Sequence, residues 1–215
     1  MKKSKKYELV EDDFILHEGK KLYRIRALKK IPKGVYIEVK KGQLGGYIEG
    51  YRNLSQEGKC WVFDDSIVYG NAVVKNSAVV IDDSEIYGNA IVKGCSEVSN
   101  RSEIFGNAVI RDSAKVYYRS KVYGNAVVRN SARIEDRAEV YGNVTVNGVS
   151  EVANFAMISG NAEISGAAIV KNSAKIVWRN NIKIHRGSIV VGPTDLYSDS
   201  KVCSNAILNN IMIVI

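Results

Sequence analysis

Four cations return at a fixed interval: Lys75, Lys93, Arg111 and Arg129 stand eighteen residues apart. Side chains at one period line up only if the chain keeps returning to the same place, and a line of Lys and Arg can capture anions. An anionic small molecule such as a nucleotide is the ligand this column would take. Nucleic acid is the less favoured one, and a solvated basic stripe is the plainer reading of the same residues. Aromatic side chains keep the interval at Tyr69, Tyr87, Phe105, Tyr123 and Tyr141. Tyr87, Phe105 and Tyr123 therefore join the candidate ligand-binding set as a stacking surface, with mutual ring contact that stiffens the fold as the alternative. A third column, Val73, Ile91, Val109 and Val127, continues as Thr145 and sets β-branched side chains beside the cations. Contiguous apolar surface of that kind marks a contact face.

The interval is three times a shorter one. Every sixth residue from Val62 to Ile182 is Val or Ile, in hexads such as Ala72-Val73-Val74-Lys75-Asn76-Ser77. Helices bury positions three and four apart, whereas this alternation is a short strand. Its small and aliphatic residues point inward and the two between them point out. Gly70, Asn76, Asp82, Gly88, Gly94, Asn100, Gly106 and Asp112 hold the corners, where positive φ suits Gly, Asn and Asp. Three strands and three corners close an eighteen-residue triangle, and stacked triangles make an all-β solenoid. Residues 62–186 are read as this prism. Residues 1–61 lack the hexad, but alternating runs at Leu22–Leu28 and Gly34–Val39 predict strands of a small β-rich cap. Beyond Ile182 the register slips, and residues 187–215 are read as a capping or oligomerisation segment with an apolar end, Ile211–Ile215, that needs cover.

The remaining outward columns read as structure. Glu97, Lys115, Arg133 and Glu151 form a mixed face, and Arg101, Arg119 and Arg137 at the following corner are expected to make exposed ion pairs with Glu85, Glu103 and Glu139. Asn71, Asn89, Asn107, Asn125, Asn143 and Asn161 are turn residues placed for mutual amide bonds.

This unbroken rhythm resembles the hexapeptide-repeat, left-handed parallel β-helix. More particularly, Leu44-Gly45-Gly46-Tyr47-Ile48-Glu49, then Asn53 to Val62, then coils opening on Tyr69-Gly70-Asn71-Ala72, resemble the YdcK-like group of bacterial and phage hexapeptide-repeat proteins over about residues 7–180. The resemblance implies left-handed winding and a homotrimer of prisms packed side by side. Val73, Ile91, Val109 and Val127 would then form the oligomer interface, and the cations would border an intersubunit cleft. A phage setting would suit sequestration of a nucleotide signal of host defence.

Many hexapeptide-repeat proteins are acyltransferases that use a histidine as general base beside a loop-walled cleft, and some hold zinc through histidines of adjacent subunits. His17 falls in the cap and His185 past the last regular coil, and no insertion interrupts residues 62–182. No repeat histidine is therefore expected to partner a serine. No catalytic residue, metal ligand or cofactor is assigned, and the chain is read as a non-enzymatic binding or scaffold protein, with acyltransferase as a second alternative. Cys60, Cys95 and Cys203 suit neither a disulfide framework nor a zinc site. The basic start is followed by Tyr7-Glu8-Leu9-Val10-Glu11-Asp12-Asp13 where a signal peptide would be apolar. A cytoplasmic protein with no membrane association is the expectation, and a net charge of +8 leaves anionic partners open.

Overall fold

The structure, a computed structural model, describes residues 5–176, 182–196, 201–202, 205–209 and 212–213. Three longer strands come first: β1 (Tyr7–His17), β2 (Lys20–Ala27) and β3 (Leu44–Ile48). Two-residue strands follow, beginning with β4 (Trp61–Val62), β5 (Ile67–Val68) and β6 (Val73–Val74). Among the described residues every regular element is a strand, and no helix is long and apolar enough to cross a membrane.

Side-chain size sets the cross-section. Val62 and each sixth residue after it through Ile176 are fully buried, as are the small residues that precede them, from Ser66 and Ala72 to Ala138. Each strand thus places one aliphatic and one small side chain inside, and the rest of the hexad turns. Stacking coil on coil makes three parallel sheets. Face one grows from β5, where Ile67 pairs with Glu85. Face two grows from β6, where Val73 pairs with Ile91, and face three from β4, where Trp61 pairs with Val79. From Trp61 to Ile176 partners are eighteen residues apart, and among the described residues the sheets contain twelve, eight and nine strands, about eight turns. All eight corner residues named from the sequence adopt positive φ, between 55° and 77°.

The expectation of an uninterrupted repeat to Ile182 is corrected: between Ile176, still in the eighteen-residue register, and Ile182 two residues are inserted. Glu163 pairs with Lys183 and Ile169 with Ile189, twenty residues apart instead of eighteen. Ile184 therefore takes the aliphatic slot, while Ile182 stacks on Ala162 in the small one, both buried. Parallel pairing then resumes through Ile207–Asn209 and Met212–Ile213. Cys203, Ile211, Val214 and Ile215 lie outside the described residues.

The cap is continuous with face one. β1 and β2 form an antiparallel hairpin, β2 pairs antiparallel with β3, and β3 runs parallel to β5, with Tyr47 beside Ile67. The run Gly34–Val39 is not a strand. It has no partner strand beside it, only the bridge between Ile31 and Val39, and Tyr36, Ile37 and Glu38 face solvent. Residues 44–59 act as a preliminary coil. Buried Asn53 donates to the carbonyls of Gly70 (3.1 Å) and Ala72 (2.9 Å), and the Tyr7 hydroxyl donates to Leu54 O (2.6 Å). At Gly46 the coil passes so close to its neighbour that a Cβ would enter the Ser66 carbonyl and lie 2.7 Å from Val62 Cγ1. Gly46→Ala is expected to cost about 1–3 kcal/mol in chemical denaturation. Gly50→Ala, in open space, should stay within about 0.5 kcal/mol.

Candidate functional site

Face two presents Val73, Ile91, Val109, Val127 and Thr145 in one half-exposed column, paired in register across five coils. Two positions further on, at the strand ends, Lys75, Lys93, Arg111 and Arg129 form the adjacent half-exposed column. Arg111 lies 3.7 Å from Asp112, and the Arg129 Nε is shielded from solvent without a hydrogen-bond partner among the described residues. At strand spacing the four cations span about 15 Å. Beyond them the column changes to Asn147, Ser165 and His185, so the stripe is confined to the N-terminal half of the face.

Tyr87, Phe105 and Tyr123 lie elsewhere. They belong to the end of face one, separated from the cations by the Gly-Asn corner and the β-branched column. Successive rings from Tyr69 to Tyr141 stack at 5.3, 4.8, 4.6 and 4.7 Å with interplanar angles of 6° or less. Both faces of Tyr87, Phe105 and Tyr123 are consequently covered by neighbouring rings, which leaves no face for a base. The hydroxyls of Tyr69 and Tyr123 donate to Glu85 (2.6 Å) and Glu139 (3.3 Å). Burial first, then the carboxylates nearby, pushes Tyr87 and Tyr123 up to about 12, so both remain protonated. The cap seals the ladder's N-terminal end, where the His17 ring meets Tyr69 edge-on at 5.2 Å and its Nε2 lies 3.1 Å from Glu85. The structure thus does not gather the cations and the rings into one site.

His185 is not where the hexad count places it. The insertion sets it on face two directly after Ser165, whose Oγ is 2.9 Å from His185 Nδ1. The expectation that no repeat histidine can partner a serine is therefore corrected: a strict period would have put Lys183 there. The pair lines a groove of about 350 Å³ with Arg186 and Lys201. It can exchange a proton. His185 Nε2, however, is buried with no hydrogen-bond partner among the described residues, and so lacks the carboxylate that orients the base in a Ser-His-Asp triad.

The corner between faces three and one also departs from expectation. After the first, where Asp64 alone has positive φ, its turns as far as Ser173 use two consecutive positive-φ residues: Asp82-Asp83, Asn100-Arg101, Tyr118-Arg119, Asp136-Arg137, Asn154-Phe155 and Asn172-Ser173. That conformation costs roughly 1–2 kcal/mol for side chains other than Gly, Asn or Asp. Arg101, Arg119 and Arg137 do not pair with Glu85, Glu103 and Glu139, because those carboxylates are engaged by Tyr69 and His17, by Lys121 (3.0 Å), and by Tyr123. Arg101 turns instead to Asp83 (3.4 Å), and Arg137 sits over the Phe155 ring at 5.5 Å. An open groove of about 790 Å³ runs along this corner. The spacing of the three arginines was the available sequence signal. What could not be read from it was that the glutamates had other partners.

If the aromatic ladder is structural, Phe105→Leu should remove two stacking contacts and about 1–3 kcal/mol of stability, read from the denaturation midpoint, while leaving binding of any anionic ligand unchanged. Among the described residues no group of three or more His, Cys, Asp or Glu is placed to hold a metal ion. No family model matches the chain, and no curated protein is significantly similar to it in sequence, so what is shown is its architecture, a parallel three-sheet β-solenoid.

Proposed function

We propose that this chain is a non-catalytic, left-handed β-helix of the YdcK-like kind, a cytoplasmic binding or scaffold module that associates with itself as a trimer through face two. The supporting observation is the unbroken column Val73, Ile91, Val109 and Val127, half-exposed on a regular sheet. Isolated apolar side chains on a surface need no explanation, but an in-register line of them is removed from water most readily by a like surface. Light scattering on the chromatographed protein should give three times the 23.7 kDa of one chain, and Val109→Lys, which sets a charge in the middle of the column, should give the monomer. A parent chain that is monomeric at micromolar concentration contradicts the trimer.

A second reading is favoured by the unpartnered Nε of Arg129 beside Lys75, Lys93 and Arg111. Here the cations border the cleft between subunits and grip an anionic ligand, a nucleotide signal in the phage setting that the resemblance implies. Arg111→Glu should weaken such binding about 10- to 100-fold by titration calorimetry, and unchanged affinity would remove face two as the site.

A further inference from the structure

The corner between faces three and one carries side chains that the coil does not need. Asn and Asp accept its left-handed backbone readily, and they supply a ladder there: Asn100 donates to Asp82 (3.0 Å) and Asn154 to Asp136 (2.7 Å). Tyr118, at φ 57°, interrupts that ladder; its ring meets Tyr117 edge-on at 5.0 Å and the residue is still 52% exposed. Arg119 follows it at φ 62°. Its neighbours in the column are engaged in opposite directions, Arg101 with Asp83 one coil before and Arg137 with Phe155 one coil after. Among the described residues Arg119 has neither a carboxylate nor a ring, so the middle of the groove offers a guanidinium with all its donors free. The acidic residues of the groove are satisfied from within: Asp82 and Asp136 accept the amides just named, and Asp83 accepts Arg101.

We propose that this groove binds a nucleotide, with Arg119 and Arg137 holding the phosphate oxygens and the Tyr118 ring stacking on the base. Arg119 and Arg137 spring from backbone one coil apart, about 4.8 Å, so their long side chains can reach one phosphate or two adjacent ones through bidentate bonds. The groove volume of about 790 Å³ is that of a small-molecule site. A nucleic-acid strand is disfavoured because the cations span only about 10 Å, with Asp64, Asp82 and Asp83 closing one end of the groove. The corner is the vertex opposite face two, so the site stays open to solvent whether or not that face is covered.

Titration calorimetry with adenosine, guanosine, cytidine and uridine 5′-diphosphates, inorganic pyrophosphate and a single-stranded oligonucleotide tests the proposal. At least one diphosphate should saturate at one per chain. Arg119→Asn should weaken it about 10- to 100-fold. Tyr118→Asn should weaken the nucleotide by about 5- to 100-fold and leave pyrophosphate affinity unchanged. Because Asn suits this backbone, both variants should melt at or above the temperature of the parent, which separates a binding role from a structural one. A parent chain that binds none of the diphosphates overturns the proposal. So does unchanged affinity in both variants, or an oligonucleotide that binds more tightly than any nucleotide with a steep salt dependence.

Discussion

Each coil hangs from the next by backbone hydrogen bonds that repeat every eighteen residues: Val73 N to Ala90 O, Ile91 N to Ala108 O and Val109 N to Ala126 O, all 2.9 Å. Parallel strands with such short rungs leave no freedom to slide, so whatever side chain a position carries is laid upon the same position of the neighbouring coils. Identical residues are stacked by construction. That constraint decides which sequences the fold tolerates on its surface and gives each outward column an energetic sign.

Where stacking like on like is favourable, the chain repeats itself. The Asn71 to Asn161 column passes one amide bond per coil, at 2.9–3.1 Å, and the aromatic column closes ring on ring. Where like on like would repel, an opposite charge stands on one neighbouring coil. Glu103 takes Lys121, Lys115 takes Glu97 and Arg133 takes Glu151, at 3.0, 3.2 and 2.9 Å. Stacked like charges are destabilising in a sheet, and in the described strands the chain keeps them only in pairs at Glu85 and Glu103, Lys115 and Arg133, and Lys183 and Lys201. The Lys75 to Arg129 stripe and the arginine corner are longer runs of one sign, four and three residues, and the two anion-binding proposals rest on them. At the corner the unfavourable stacking coincides with left-handed backbone at Tyr118 and Arg119, strain of the kind that clusters at functional sites.

Most of the core and every corner residue named from the sequence were legible, because the hexad ties burial and turn chemistry to residue number. The same simplicity hid what depends on a count. Ile182 and Ile184 are both apolar, so a period of six could not show that two residues had been inserted before them, and with that the contact between Ser165 and His185 was lost. Alternation at Gly34–Val39 resembled a strand because pattern alone cannot tell whether a partner strand is present. For Arg101, Arg119 and Arg137, proximity to glutamates was readable but competition for those glutamates was not: Tyr69, His17, Lys121 and Tyr123 reach them first.

The eighteen-residue register carries all of this, and it can be tested by taking out one whole coil. Deleting residues 105–122 joins Ile104 to Tyr123 and returns every column to alignment, whereas deleting residues 105–121 shifts everything beyond by one. Far-ultraviolet dichroism with thermal melting should show the eighteen-residue deletion folded and cooperative and the seventeen-residue deletion without a cooperative transition. Equal behaviour of the two chains would contradict the account.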